Sequence, residues 1–154
     1  MNLIKNISRG KDCIEGEVFF GLFNKYITLY VEDDNLIFAD KCAIYLNSLS
    51  SEVVEILCRS SINYCNSFLA VIGEPLKSFS TPLEVLELIY PSVLIVPYPE
   101  RENELVVHLE LNCEWESEHG MEWVIRNNKV LYVGAFNGED PWSEFDDAAE
   151  WNYA

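Results

Sequence analysis

The feature that most constrains the fold is the stretch from 104 to 136, where polarity alternates along three consecutive runs. Every second side chain is apolar from Leu105 to Cys113, and the pattern returns from Met121 to Arg126. A repeat of two residues is typical of a strand with one buried face. The Asn127-Asn128 pair before the third run suits a tight hairpin, because Asn tolerates a positive φ. The stretch therefore predicts three antiparallel strands in succession.

Shorter β patterns precede this stretch. Residues 15–23 and 26–32 alternate in the same way on either side of a short turn, which predicts an N-terminal hairpin. Residues 93–96 predict a brief strand that is apolar on both faces. Residues 1–12 are polar and mixed, and they predict a weak first strand or a loose arm.

Helical patterns lie between those strands. Apolar side chains recur at steps of three and four residues over 40–49 and 52–72, which predicts two helices. Ser50 or Ser51 suits the cap of the second helix, because a hydroxyl accepts a backbone N–H that the helix start leaves unpaired. Thr81-Pro82, with Glu84 as the partner in a capping box, predicts a third, short helix.

The order of these elements is strands, helices and strands again, which predicts an α+β fold. We expect a mainly antiparallel sheet of about five to six strands with two to three helices packed on one face. The 154 residues are expected to form a single globular domain, with residues 139–154 as an acidic, aromatic C-terminal tail docked on it.

Charge limits the partners of such a chain. Acidic residues outnumber basic ones 26 to 10, and the net charge is −16. This surface repels the phosphate backbone of nucleic acids and anionic lipid, whereas it attracts a basic protein. We therefore expect no nucleic-acid or membrane partner. An equally weighted alternative is that the acidity only keeps the protein in solution.

Two further sequence patterns bear on the cellular compartment of the protein. The chain has no apolar run of about 18 residues, and its start lacks the apolar core of an export signal. Its five cysteines are widely spaced and include no Cys-x-x-Cys pair, which indicates buried thiols in a reducing compartment. Together these patterns predict a cytoplasmic protein.

The link between the first two strands of the 104–136 stretch holds the densest cluster of reactive side chains. His119 with Glu116 and Glu118 is compatible with a metal site or an acid–base pair. The favoured interpretation is structural: Trp115 packs, and His119 bonds the backbone of a tight turn that Gly120 closes. No catalytic residue and no cofactor is therefore assigned, and an enzyme centred on His119 stays as the alternative.

His108 and Glu110 share the outer face of the first of those three strands. They are compatible with a pair or with the lining of a shallow site. The commoner arrangement is the solvated face of a half-exposed antiparallel sheet, and that is the expectation.

The tail from 139 to 154 combines carboxylates with aromatic rings and has no Lys or Arg. Trp is a favoured interface anchor, and surrounding carboxylates steer a basic partner. The alternative is that its tryptophans only pack the terminus. The residues predicted to bind a partner come from the turn and the tail: Glu116, Glu118, Asp140, Trp142, Glu144, Asp146, Asp147 and Trp151.

The motif Trp115-x-x-Glu118-His119-Gly120, followed by the Asn-Asn hairpin, resembles a family of small bacterial domains without an established enzymatic role. By type, the chain is also similar to bacterial toxin-immunity proteins, which are small and acidic and lack catalytic motifs. These resemblances imply a binding protein that neutralises a basic toxin domain, such as a nuclease. A scaffold module that associates through an open sheet edge is a further alternative.

Overall fold

The computed structural model describes residues 2–101, 103–145 and 149–154. Within these residues seven strands form one sheet, and their order in the sheet is their order in the chain. They are β1 (Ile4–Arg9), β2 (Ile14–Phe20), β3 (Lys25–Val31), β4 (Ile89–Val96), β5 (Val106–Cys113), β6 (Met121–Arg126) and β7 (Lys129–Ala135). Neighbouring strands are antiparallel except for β3 and β4, which are parallel.

The α+β class predicted from the sequence is confirmed, but the described sheet has seven strands instead of five to six. The additional strand is β1, which pairs with β2 although most of its side chains are exposed. A strand of this kind carries no alternating apolar signal. Its polarity therefore left the choice between a strand and a loose arm open.

Helices connect the two parallel strands, because such a pair needs a long crossover. They are α1 (Leu36–Leu46), α2 (Ser51–Val71) and a 3₁₀ helix (Pro82–Leu88). The predicted cap of α2 is confirmed: Ser50 Oγ accepts from Val53 N at 3.2 Å. Thr81 is the N-cap residue of the 3₁₀ helix as predicted, but its side chain makes no capping hydrogen bond. Glu84 Oε2 instead accepts from Ser80 N at 2.9 Å.

The helices cover one face of the sheet, here called the inner face. Trp123 on β6 is fully buried there, and its indole N–H donates to Ser61 of α2 at 3.0 Å. The other inner positions form the core cluster with it, among them Val18, Leu29, Leu94, Leu109, Leu111, Ile125 and Val133. Burial of these apolar side chains is the main force that holds the helices on the sheet.

The outer face is covered over β5 and β6 as well, which the alternating pattern did not predict. Every residue of β6 is buried, and His108 on β5 is only 4% exposed. The expectation of a solvated face at His108 is therefore wrong, whereas Glu110 remains partly exposed. The cause is the chain after β7, because residues 137–143 return across this face and contact the outer side chains of β6.

No helix of the described residues is long and apolar enough to cross a bilayer. Among the same residues all five cysteines carry free thiols.

The cysteines differ strongly in their expected reactivity. Burial raises the pKa of Cys42 and Cys58 to about 11 and that of Cys113 to about 12, and it also raises the pKa of Cys65. Cys13 is partly exposed. At pH 8 the buried thiols stay protonated and therefore do not attack a disulfide reagent.

We expect Ellman's reagent to titrate one thiol rapidly in the folded protein and all five after unfolding in urea. The Cys13→Ser variant is the matched control and should show no rapid thiol. Two or more rapid thiols in the folded wild type would contradict the burial described above.

Candidate protein-binding surface

The turn before β6 is organised by one carboxylate. Oε1 of Glu116 accepts from the N–H of Glu118 at 3.0 Å, and Oε2 accepts from the N–H of His119 at 3.0 Å. The imidazole Nδ1 of His119 lies 3.2 Å from the same Oε2, and this side chain is 73% exposed. Gly120 has a φ of +74°, and a Cβ there would lie 2.7 Å from the carbonyl oxygen of Leu111. The cluster therefore shapes a turn.

This geometry supplies no set of metal ligands. In the part of the chain that the structure describes, no group of three or more His, Cys, Asp or Glu side chains is arranged to hold an ion. Cys113 is buried, and its thiol donates to the carbonyl oxygen of Glu116 at 3.4 Å. Trp115 is buried as well and packs edge-on against Tyr64, with 5.7 Å between the ring centroids.

A buried carboxylate on the outer face holds the first part of the tail. Glu122 is fully buried, and its Oε1 accepts from the backbone N–H of Asn137 at 2.9 Å. Its Oε2 accepts from the N–H of Glu139 at 2.8 Å and also bonds Nε2 of His108. A buried carboxyl group is tolerated when its oxygens are hydrogen-bonded, and both oxygens of Glu122 meet that condition.

A buried guanidinium holds the next part of the tail. Nη1 of Arg126 donates to the carbonyl oxygen of Pro141 at 2.6 Å and to that of Ser143 at 3.1 Å. Between these two carbonyls Trp142 is buried, and its indole N–H donates to the carbonyl oxygen of Tyr98 at 2.8 Å. Its ring stacks on Phe38 of α1 at 6.5 Å. Residues 137–143 are thus fixed to the body at several points.

The last residues of the chain run beside β7. The N–H of Tyr153 donates to the carbonyl oxygen of Val133 at 2.9 Å, and the amide of Asn152 bonds Leu131 and Val133. A Cβ on Gly134 would lie 2.5 Å from the carbonyl oxygen of Trp151, so only glycine permits this approach. The indole of Trp151 itself is 60% exposed.

The structure separates the predicted binding residues into three groups. Glu118, Asp140, Glu144 and Trp151 are exposed. Glu116 and Trp142 are not available as partner contacts. The carboxylate of Glu116 is used by the turn, and the side chain of Trp142 is buried. Asp146 and Asp147 lie outside the described residues. Glu122 and Arg126 were not singled out as site residues, and His108 was expected on a solvated face. A Glu and an Arg four residues apart on one face of β6 are the sequence signal for contacts on the outer face.

A second surface was not predicted at all. The outer face of β2, β3 and β4 lies beyond the part of the sheet that the tail crosses, and none of the side chains that alternate outward there is buried. Neighbouring strands align these side chains in rows. One row holds Glu17, Thr28, Val93 and Glu110; the next holds Glu15, Tyr30 and Ile95.

The edge of this surface is acidic where β3 and β4 end. Tyr98 is 54% exposed there and stands between two depressions of about 310 and 240 Å³. The carboxylates that line them are Glu32, Glu100, Glu139 and Asp140 in the larger, and Asp12, Asp33 and Asp34 in the smaller, with Lys11 beside them. We call the outer residues of β2–β4 together with these depressions the acidic sheet face.

The fold and this surface define an α+β protein whose sheet carries helices on one face and a partly open, acidic second face. Residues 4–141 match the family model described as Domain of unknown function (DUF6985), and the chain therefore belongs to this family. No curated protein and no solved structure matches the chain.

Proposed function

We propose that this chain is a non-enzymatic, acidic protein-binding module: a cytoplasmic immunity protein that neutralises a basic toxin domain by covering it. The observation that carries the proposal is the distribution of charge. Of the 10 basic residues, Arg126 is buried under the tail, and Arg59 and Arg101 pair with neighbouring glutamates at 3.0 Å. Each of these two pairs cancels one positive and one negative charge, so the excess of 26 acidic over 10 basic residues is not offset by them.

Electrostatics supplies the mechanism. An acidic surface accelerates the encounter with a basic protein and favours the orientation in which opposite charges meet. A nuclease fits this description best, because it binds the phosphates of its substrate with Lys and Arg side chains. An acidic protein that covers those side chains blocks the substrate sterically and competes for the same positive charges.

Exposed residues of the tail support the same proposal. Asp140 and Glu144 are exposed carboxylates of this segment and add to the negative charge that a basic partner meets. Glu118 adds a carboxylate at the turn before β6.

The test is co-expression with the product of the neighbouring gene. We expect a stable complex at about 0.05 M salt, and we expect its affinity to fall about tenfold or more at 0.5 M salt because ions screen exposed charges. An unrelated protein of similar size and charge is the control and should show no saturable binding. If no basic neighbour binds at low salt, the proposal is wrong.

A further inference from the structure

We infer that the acidic sheet face, and not the C-terminal tail, is the docking surface of this protein and that its occupant is the basic surface of another protein. This inference rests on the proposed function and assigns it to a place on the molecule. Arg and Lys side chains of the partner would lie over the exposed tyrosines and between the surrounding carboxylates.

The sheet leaves part of its outer surface exposed. Helices cover the inner face of the sheet, and residues 137–143 cover the outer side chains of β6. Among the described residues the outer rows of β2–β4 are covered only in part: Val93 and Ile95 are half-buried, and Tyr30 is 38% exposed. A patch of this kind, rimmed by polar groups, is typical of an interaction site.

The chemistry of the patch selects cations. Tyr30 and Tyr98 offer π faces, and carboxylates lie next to both in the strand rows and in the depressions. The protein itself shows how an ammonium group sits on this face, since Nζ of Lys5 lies 3.7 Å from the centroid of the Tyr26 ring. A cation held between an aromatic ring and a carboxylate gains from both contacts.

The tail has a different part in this arrangement. Its backbone is hydrogen-bonded to Glu122, Arg126 and β7, and Trp142 is buried. Residues 137–142 are therefore fixed next to the acidic sheet face. From this position Glu139 and Asp140 line the larger depression. The tail thus adds carboxylates to the docking surface without being its anchor.

A basic protein fits the face better than a second copy of this chain. A symmetric dimer through the face would bring Glu15, Glu17 and Glu110 towards the same carboxylates of the other copy, and like charges in contact are unfavourable. Anionic lipid and nucleic acid are repelled for the same reason.

The first experiment locates the surface with a defined probe. Hydroxyl-radical footprinting of the full chain, with and without a peptide of ten arginines, reads the exposure of individual side chains. We expect modification of Tyr30 and Tyr98 to fall about threefold or more, as interface burial excludes solvent, while Ile56 on α2 and Trp151 stay unchanged. Protection confined to Trp151 or to the helix side would overturn the inference.

The second experiment uses the toxin domain and matched variants. Tyr98→Ala should weaken binding about 30-fold, as expected for an aromatic anchor. The pair Glu32→Gln and Glu100→Gln should weaken it about five- to tenfold, mainly through slower association. The matched pair Glu74→Gln and Glu87→Gln removes two exposed carboxylates elsewhere and should change affinity less than twofold.

These measurements test the docking surface and the proposed function independently. Equal losses in the two pairs of variants would overturn the surface assignment while the complex itself upheld the proposed function. A toxin domain that fails to bind the wild type rejects the proposed function, and the arginine footprint still decides where a polycation binds. A dimer in sedimentation that protects Tyr30 and Tyr98 would also overturn the inference. Unchanged thermal unfolding of each variant shows that the fold is intact.

Discussion

Replacing Glu122 with alanine is expected to lower the free energy of unfolding by about 3–5 kcal/mol, because three hydrogen-bond donors lose a buried acceptor at about 1–3 kcal/mol each. The substitution leaves His108 and the N–H groups of Asn137 and Glu139 without their buried acceptor. Each buried donor that loses its partner carries its own desolvation cost. Urea unfolding followed by far-ultraviolet circular dichroism measures the change.

Two variants make this result specific. Glu118→Ala removes an exposed carboxylate four residues away and should change stability by less than about 0.5 kcal/mol. Glu122→Gln keeps one acceptor oxygen and should fall between the two. A loss below about 1 kcal/mol in Glu122→Ala would show that residues 137–139 are held by other contacts.

Gly120→Ala is the second substitution with a large expected effect. The residue has a φ of +74°, and its Cβ would approach the carbonyl oxygen of Leu111 to 2.7 Å. The left-handed conformation costs a non-glycine residue about 1–2 kcal/mol. The backbone contact adds a cost of about 1–3 kcal/mol, as in other overpacked sites. We therefore expect a loss of about 3 kcal/mol or more in urea unfolding.

The protein contains a matched control for this substitution. Gly73 has a φ of +75°, but a Cβ there would meet nothing within 4 Å. Gly73→Ala should therefore cost only the conformational part, about 1–2 kcal/mol. Equal losses at the two glycines would mean that the strand–turn contact at Leu111 relaxes freely.

Local patterns predicted most of the regular elements, although the first helix spans Leu36–Leu46 instead of the predicted 40–49. Alternation located β5 and β6, and helical spacing located α2 to within one residue at each end. Asn127 and Asn128 adopt positive φ values of +53° and +61°, as the hairpin prediction requires. These features depend on residues close together in the chain, and for that reason the sequence alone carries them.

Alternation failed where distant residues decide burial. His108 and Glu122 carry polar side chains at outward positions, and the local pattern therefore predicted solvent. They are buried because residues 137–139 return from beyond β7 to bond Glu122, which in turn bonds His108. The alternating pattern describes one strand at a time and does not show that a later segment folds back onto that strand.

The acidic sheet face could not be predicted from the sequence for a similar reason. Glu15 and Tyr30 meet through strand pairing, and Tyr98 and Asp140 meet in a depression beyond the strand ends, so four separate segments of the chain contribute to the surface. The tail was more visible because its acidic and aromatic residues are contiguous. Contiguity, however, says nothing about burial, and Trp142 proved to be a packing residue.

The parallel junction between β3 and β4 has a consequence for how the molecule comes into being. At the other junctions a short connection joins the two strands, which can form as local hairpins or meanders, whereas β3 and β4 are separated by residues 32–88. Closing so long a loop loses more chain entropy and is slower than making a hairpin. Tyr30 and Ile95 meet across this junction. A nascent chain therefore acquires its docking surface only when that late closure is complete, and partly folded forms have no assembled place at which to capture a partner.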